Sequence, residues 1–489
     1  MIPNQESNLI QQNYLHLFEE HSSTLPIWWA QHDSPRTVVY LDAHLDLQKT
    51  GEDSLAALKA CNTLEEIQAL ETPNHLNPSV RYAFGIENFL YAAHQLKLID
   101  RLVWVAPAHV PRQYSSTLID YMQQMDGISF DELTSFQMAS RKAQRGTLLG
   151  LDIIICDYDD LDSLDIDENF YLDVDIDYFV HVPSDRLWID PATVINTITA
   201  QLGNPSLVTI SRGVSSGFVP MAFRFVGDYI YSLLSGQKTD FGYYQKLTSA
   251  ILNRGDRYIE LLQNTCKQLI KDQPELAAAH YILALSTADA SEKNHLLYVA
   301  NCCDNAYGFD LAREAIGLLH RKKSIDTYTL RHLATTLDKL DLEKPQLEQA
   351  EVALAKVLSA SGNPEYALSL MANQTGDYAD HEDVLLSISA RQLKNPAKRE
   401  QNKEMLSSVS NGVKNATIAS VYLGDLEFAD KHYQAALEHY ISAHNRAPAW
   451  LLPLEHMLVC YKQLGMSEKA SEVEDRIMRR QQHLDQIVS

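Results

Sequence analysis

Two short stretches of the chain concentrate side chains that could do chemistry. In Tyr40-Leu41-Asp42-Ala43-His44-Leu45-Asp46, two carboxylates and an imidazole follow directly on an apolar, β-branched run; in Leu172-Asp173-Val174-Asp175-Ile176-Asp177-Tyr178, three carboxylates alternate with apolar residues. Alternate positions of a strand project the same way, so each stretch gathers its ligand-type groups on one side, or makes them converge where the strand turns. Clustered carboxylates repel one another, and burying them costs many kcal/mol unless they take up protons or surround cations. Two such stretches in one chain point to a shared metal site, and the mixed oxygen and nitrogen donors suit manganese, iron, zinc or cobalt better than calcium. Taken alone, the second stretch also reads as a solvent-facing strand edge, like the acidic run at 157–168.

The elements that must position these groups come next. Up to about residue 230, β-branched runs at 37–41, 102–106, 151–156, 171–176 and 206–211 alternate with helical stretches such as 88–98 and 191–201, the second opening on Pro191. That alternation predicts an α/β domain with a parallel sheet, whose sites lie at the carboxyl ends of strands. From about Tyr258 the strand signals vanish and segments of helical period follow one another. Near the end, Leu423, Gly424, Ala436, Tyr440, Ala443 and Pro448, then Tyr461, Gly465 and Ala470, fit the spacing of tetratricopeptide repeats, with Glu427 where that pattern wants an aromatic. Segments 274–285 and 352–371 read as degenerate copies. The expected division is 1–236 for the α/β part and 237–489 for an all-α helical-repeat part, with a generic helical bundle as the plainer alternative.

These residues carry a family resemblance. Asp42-Ala43-His44-Leu45-Asp46 resembles the D-A-H-x-D signature of the arginase and agmatinase superfamily, whose other metal motif is a later D-x-D after a strand. Glu20-His21-Ser22 stands where that family has D-H-S, and the stretches 20–28, 86–89 and 175–179 resemble most closely the branch that contains peptide arginases. The resemblance covers about residues 15–225. It implies an arginase-like three-layer αβα fold and two Mn²⁺ per chain, bridged by Asp42 and Asp175, one completed by His21 and Asp46 and the other by His44 and Asp177. Asp46 would serve as both ligand and acid/base. Asp173 falls where the family has Ser in S-x-D-x-D, which favours Asp175 and Asp177 over the alternate pair of Asp173 and Asp175. The implied reaction turns arginine residues of a ribosomally made precursor peptide into ornithine and urea.

The chain departs from true arginases near its last core strand, where Leu207-Val208-Thr209-Ile210-Ser211-Arg212 offers no acid for the guanidinium. Glu87, within Ile86-Glu87-Asn88-Phe89, is the candidate to take that role in binding and catalysis, because a planar guanidinium favours a bidentate carboxylate; a helix-start acid facing the helix dipole is the alternative. The Gly- and Ser-rich loop at 211–218 is placed to contact substrate, with Arg212 the side chain singled out. No counterpart grips a free amino acid's α-groups, so peptidyl arginine fits better. His32, His75, His94 and His109 and the pair Trp28 and Trp29 carry less weight, and read as surface or core residues.

Composition sets the outer bounds. Sixty-four acidic against 41 basic residues give a net charge of -23 over 489 residues, with 45% hydrophobic. This disfavours nucleic acid and favours a cationic peptide or small cation. The longest apolar runs fall far short of the roughly 20 residues of a membrane helix. Six cysteines without C-x-x-C spacing, and an N-terminus without a basic-then-apolar signal, lead us to expect a reducing, cytoplasmic setting. The helical half is expected to bind a leader segment of the precursor, and a homo-oligomer stays open. Two rival functions remain at this stage: hydrolysis of another guanidino or amide substrate on the same fold, and a repeat-based adaptor without catalysis.

Overall fold

A computed structural model describes residues 14–72, 82–110, 119, 121–181, 184–253, 255, 257–320, 327–337, 339–340, 342–371, 382–412 and 415–488. Its strands are β1 (Leu15–Phe18), β2 (Arg36–Leu41), β3 (Ile99–Val105), β4 (Gln137–Met138), β5 (Gln144–Leu148), β6 (Leu151–Cys156), β7 (Tyr171–Asp175), β8 (Val180–His181), β9 (Arg186–Leu187) and β10 (Leu207–Ser211). Eight of them form one sheet in the order β1-β10-β7-β2-β3-β6-β5-β4, and β8 and β9 make a separate small ribbon. The six strands from β1 to β6 in that order are parallel; β5 and β4 complete the sheet antiparallel.

Period-two alternation sorts the strand residues between two cores. Val39, Leu41, Val103, Val105, Leu172, Val174, Val208 and Ile210 enter one, while Val38, Tyr40, Leu102, Trp104, Ile153, Ile155 and Tyr171 enter the other. Both faces are therefore apolar and covered, as a parallel sheet requires. The first core takes in helix Pro191–Leu202, with Pro191 in its first turn and the Asp190 side chain capping Ala192 N. The second takes in helices Thr24–Gln31 and Phe89–Gln95.

From β2 the chain moves to β3 and β6 on one side, whereas β7 and β10 lie on the other side of β2. The carboxyl ends of β2 and β7 therefore flank a point where the winding direction reverses, and there the loops part to leave a crevice.

Helix Phe225–Ser235 ends on Gly236 in a left-handed conformation. Every element after it is helical, from Lys238–Leu252 to Ser467–Val488. The first core continues through this junction to Tyr307, by way of Leu247, Leu262, Cys266, Leu269 and Leu283. The far end of the helical region returns to the second core, to which Ala449 and Leu484 contribute. There Gly127 N donates to Arg446 O (2.7 Å) and Ala449 N to Ile128 O (3.1 Å). Among the described residues no helix is long and apolar enough to cross a membrane.

Candidate metal centre

Three chain segments meet at the crevice. After β1 the chain makes one 3-10 turn, His21–Ser23, which carries His21 inward. After β2 come Asp42, His44 and Asp46, and β7 ends in Asp175 with Asp177 in the 3-10 turn Ile176–Phe179. The turns are built by the acids themselves: the Asp42 carboxylate accepts from His44 N (2.6 Å), that of Asp177 from Ala43 N (3.0 Å), and that of Asp175 from Asp177 N (3.0 Å). Asp46 has a positive φ of 42°, which folds its side chain back over the strand end.

The result is two overlapping groups of potential ligands. His21, Asp42 and Asp175 form one and Asp42, His44 and Asp177 the other, with ligand atoms within 4.8 Å of one another in each. Asp42 belongs to both. His44 Nδ1 lies 2.7 Å from Asp177 Oδ2 and 3.5 Å from Asp42 Oδ1. His21 Nδ1 lies 3.1, 3.3 and 3.4 Å from oxygens of Asp42, Asp175 and Asp46, yet it makes no hydrogen bond while enclosed from solvent. A nitrogen ringed by three carboxylate oxygens without hydrogen-bond geometry is the donor arrangement of a cation site, so the residues fit a bound metal.

Asp173 does something else. It precedes the strand end and sits opposite Tyr40 on β2 and Thr209 on β10. Fully buried, it accepts from Thr209 Oγ1 (2.6 Å) and Thr24 Oγ1 (3.3 Å) and lies 2.9 Å from His21 Nε2. It therefore holds the ring nitrogen of His21 that faces away from the cluster, which fixes the tautomer and the aim of Nδ1. The His21 ring also stacks on Tyr40 with centroids 5.5 Å apart.

Burial and charge shift these groups in opposing ways. Burial lowers the affinity of His21 for a proton, but Asp173, Asp175 and Asp42 together outweigh it and hold the imidazole well above its ordinary pKa. His44 is raised likewise, against burial, by Asp177 and Asp42. Burial and then the Asp42 charge push Asp46 up to about 7. Burial also raises Asp42, but the neighbouring His21 and His44 imidazoles bring it below the usual carboxylate range. Tyr40, whose hydroxyl donates to Asp42 (2.6 Å) and Asp46 (3.2 Å), is raised far up by burial and by those carboxylates.

A cavity of about 170 Å³ opens over the cluster, lined by His21, His44, Asp46, Asp175 and Asp177 and, across from them, by Glu87, Tyr121, Gly213, Ser216 and Phe218. Glu87 is thus on the wall with the metal-type ligands. Arg212 does not join them, because its guanidinium is directed to Glu19 (3.1 Å) and Asp228. The loop singled out after β10 contributes Gly213, whose φ is 56° and where a Cβ would lie 3.4 Å from Asp175 Oδ1. Trp28 is a core residue, fully buried against Phe89 and Tyr171. His32 is exposed and His94 partly buried, His109 lies against His181 and Trp188 away from the cluster, and His75 falls outside the described residues.

Sequence reasoning did not find Tyr40, Thr24, Thr209 or Tyr121. Tyr40 and Thr209 were legible only through strand register, Thr24 only through the docking of helix Thr24–Gln31, and Tyr121 carries no local pattern at all. A further His and acid group, Glu427, Asp430 and His432, is already neutralised by Lys403, whose Nζ lies 2.8 and 2.9 Å from Glu427 and Asp430, and by Arg399. In comparisons with family models, curated proteins and solved structures, no match to this chain was found.

Proposed function

We propose that this chain is a dinuclear manganese peptide arginase of arginase-like fold with a tetratricopeptide-like helical region, converting arginine residues of a precursor peptide to ornithine and urea. The observation that carries the reading is the sharing of Asp42 between two ligand groups beneath a cavity that also has Glu87 on its wall. The first ion would be held by His21, Asp42, Asp175 and Asp46, the second by Asp42, His44, Asp175 and Asp177. When bound, the pair lowers the pKa of water and acts as a Lewis acid toward the guanidino group.

The chain's own residues supply the rest. Glu87 offers a two-oxygen partner to the planar guanidinium, a charge-assisted pair worth roughly 1.5 to 3 kcal/mol. Water adds to the guanidino carbon, the bond from that carbon to the side-chain nitrogen breaks, and the nitrogen takes a proton as urea leaves. Asp46 lines the cavity where that nitrogen would sit and is placed to carry the proton, and the Tyr40 hydroxyl steadies its carboxylate. Phe218 and Ile86 narrow the entrance around the reacting carbon.

The test is urea release by the manganese-loaded full chain from free arginine, agmatine and a capped arginine peptide, with mass spectrometry of the peptide product. Urea with ornithine in the peptide, and little from the two free compounds, is the expected result. Turnover of agmatine alone, or of none, would overturn it. Glu87→Gln is expected to keep both ions while raising KM for the peptide about tenfold or more, the equivalent of the pair it removes; unchanged kinetics would remove Glu87 from the site.

A further inference from the structure

The cavity over the ligand cluster does not end at its own walls. Gln48, Ile86, Glu87 and Tyr121 line it and also line a second cavity of about 710 Å³. One side of the larger space is made by the loops 48–54 and 82–88 of the α/β part, the other by Glu382, Asp383, Asn415, Thr417 and Ile418 of the helical region. The two sides are tied by a hydrogen bond from Thr417 Oγ1 to Asp126 (2.5 Å). Its size is within the roughly 300 to 1,000 Å³ of sites that enclose a ligand of several residues or a drug-sized molecule.

Two features of the lining bear on what fits there. Its charged groups are Glu52, Asp53, Glu87, Asp126, Glu382 and Asp383 against Lys49 alone. Asp383 is matched by Lys356 at 2.9 Å, Asp126 by Thr417, and Glu382 accepts from Asn415 N (3.1 Å). Glu52 and Asp53 are exposed in the first turn of helix Glu52–Ala60. The second feature is that Tyr82 and Ile86 line the same space as these acids, so an occupant meets apolar and acidic surface together. Lysine and arginine side chains match both, with a charged head on an apolar stem.

We infer that this cleft seats the peptide segment flanking the reacting arginine: an extended, lysine- or arginine-bearing stretch whose apolar stems lie along Tyr82 and Ile86 and whose cations meet Glu52 and Asp53. The inference rests on the arginase reading only for the residue that enters the inner cavity. Gln48 and Glu87 line both cavities, so a peptide in the larger cleft lies beside the cavity over the ligand cluster.

The test uses the full chain and three labelled, capped peptides with a central arginine flanked by lysines, alanines or glutamates. Binding is read by fluorescence anisotropy at low and high salt, with urea release measured in parallel. The lysine-flanked peptide is expected to bind about fivefold tighter than the alanine-flanked one and tighter still than the glutamate-flanked one, with the preference fading as salt rises. E52Q and D53N should each reduce that preference, and together erase most of it, without changing urea release from acetyl-arginine amide. Equal affinity for the three peptides, or no effect of either variant, would overturn the cleft assignment while leaving the arginase reading intact. A preserved lysine preference without urea from any peptide would overturn the arginase reading and leave the cleft assignment standing. Equal competition by free arginine would show that the cleft takes small molecules and overturn the inference.

Discussion

Asp42 and Asp173 are both buried carboxylates beside His21, yet their environments assign them opposite tasks. Asp42 faces two imidazoles and belongs to both ligand groups, whereas Asp173 is saturated by Thr24, Thr209 and the outward nitrogen of His21. Asp42→Asn should therefore release both ions and abolish turnover, as read by metal analysis of the purified protein. Asp173→Asn should keep the ligand set but loosen the aim of His21, weakening manganese binding about 10- to 100-fold. Equal losses in the two variants would mean that Asp173 is itself a ligand. The ligand-type residues were legible in the sequence because their spacing follows directly from strand period. What Asp173 does was not, because its partners lie 36, 149 and 152 positions away, Thr209 brought beside it by the register of β7 with β10 and Thr24 and His21 by the turn and helix that follow β1. Arg212 shows the converse, since a loop position close to the site in sequence says nothing about whether Glu19 and Asp228 claim the side chain first.

Among the elements, the five strands with β-branched apolar runs, β2, β3, β6, β7 and β10, were visible in advance to within a few residues at either end, since strands buried on both faces read as continuous hydrophobic segments. Strands β1, β4 and β5, at the two ends of the sheet, were not, because they are short and carry polar or half-exposed side chains. In the helical region the small-residue positions were readable for a steric reason. Gly424 packs under the Tyr440 ring, where an added Cβ would come within 2.4 Å of the nearest ring atom. Gly424→Ala should accordingly destabilise the chain by about 1 to 3 kcal/mol by forcing apart helices Ala416–Ala429 and Tyr433–Arg446, measurable as a lower denaturation midpoint. Gly424→Ala with an unchanged midpoint would mean that these helices repack freely.

A pH effect belongs to the same elements. His444 is buried on helix Tyr433–Arg446, and burial, followed by the charges of Arg476 and Arg480, lowers its pKa from the ordinary 6.5 to about 4. Between those values the unfolded chain binds a proton that the folded chain refuses, so the stabilisation is complete above about 6.5 and lost as pH falls toward 4. Melting temperatures taken from pH 7 down to 5 should fall, and H444Q should flatten that part of the decline. A wild-type curve no steeper than that of H444Q would exclude His444 as the source.

At the scale of the whole molecule, the helical region is continuous with the α/β part at one end and returns to it at the other. It leaves through the core on one face of the sheet, where Leu247, Leu262, Cys266 and Leu269 pack with Val39, Val174 and Ile210 in a single apolar cluster. It comes back on the other face, where the Arg480 guanidinium lies 4.6 Å from the Phe130 ring centroid and His483 meets the same ring edge-on. Arg224 reinforces the departure by pairing with both Glu19 and Asp304, the first before the metal cluster and the second deep in the helices. A chain cut at Gly236 would keep every ligand of the candidate metal centre but lose Leu247, Leu262, Cys266, Leu269 and Leu283 from the core on one face of the sheet. Exposed apolar area on that scale outweighs the few kcal/mol by which a domain is stable. Such a fragment is expected to bind a hydrophobic dye, lose its near-ultraviolet circular dichroism and melt without cooperativity, whereas the full chain melts sharply. A monomeric fragment that melts cooperatively and retains manganese would show that the sheet carries its own stability, and that the helices serve the cleft alone.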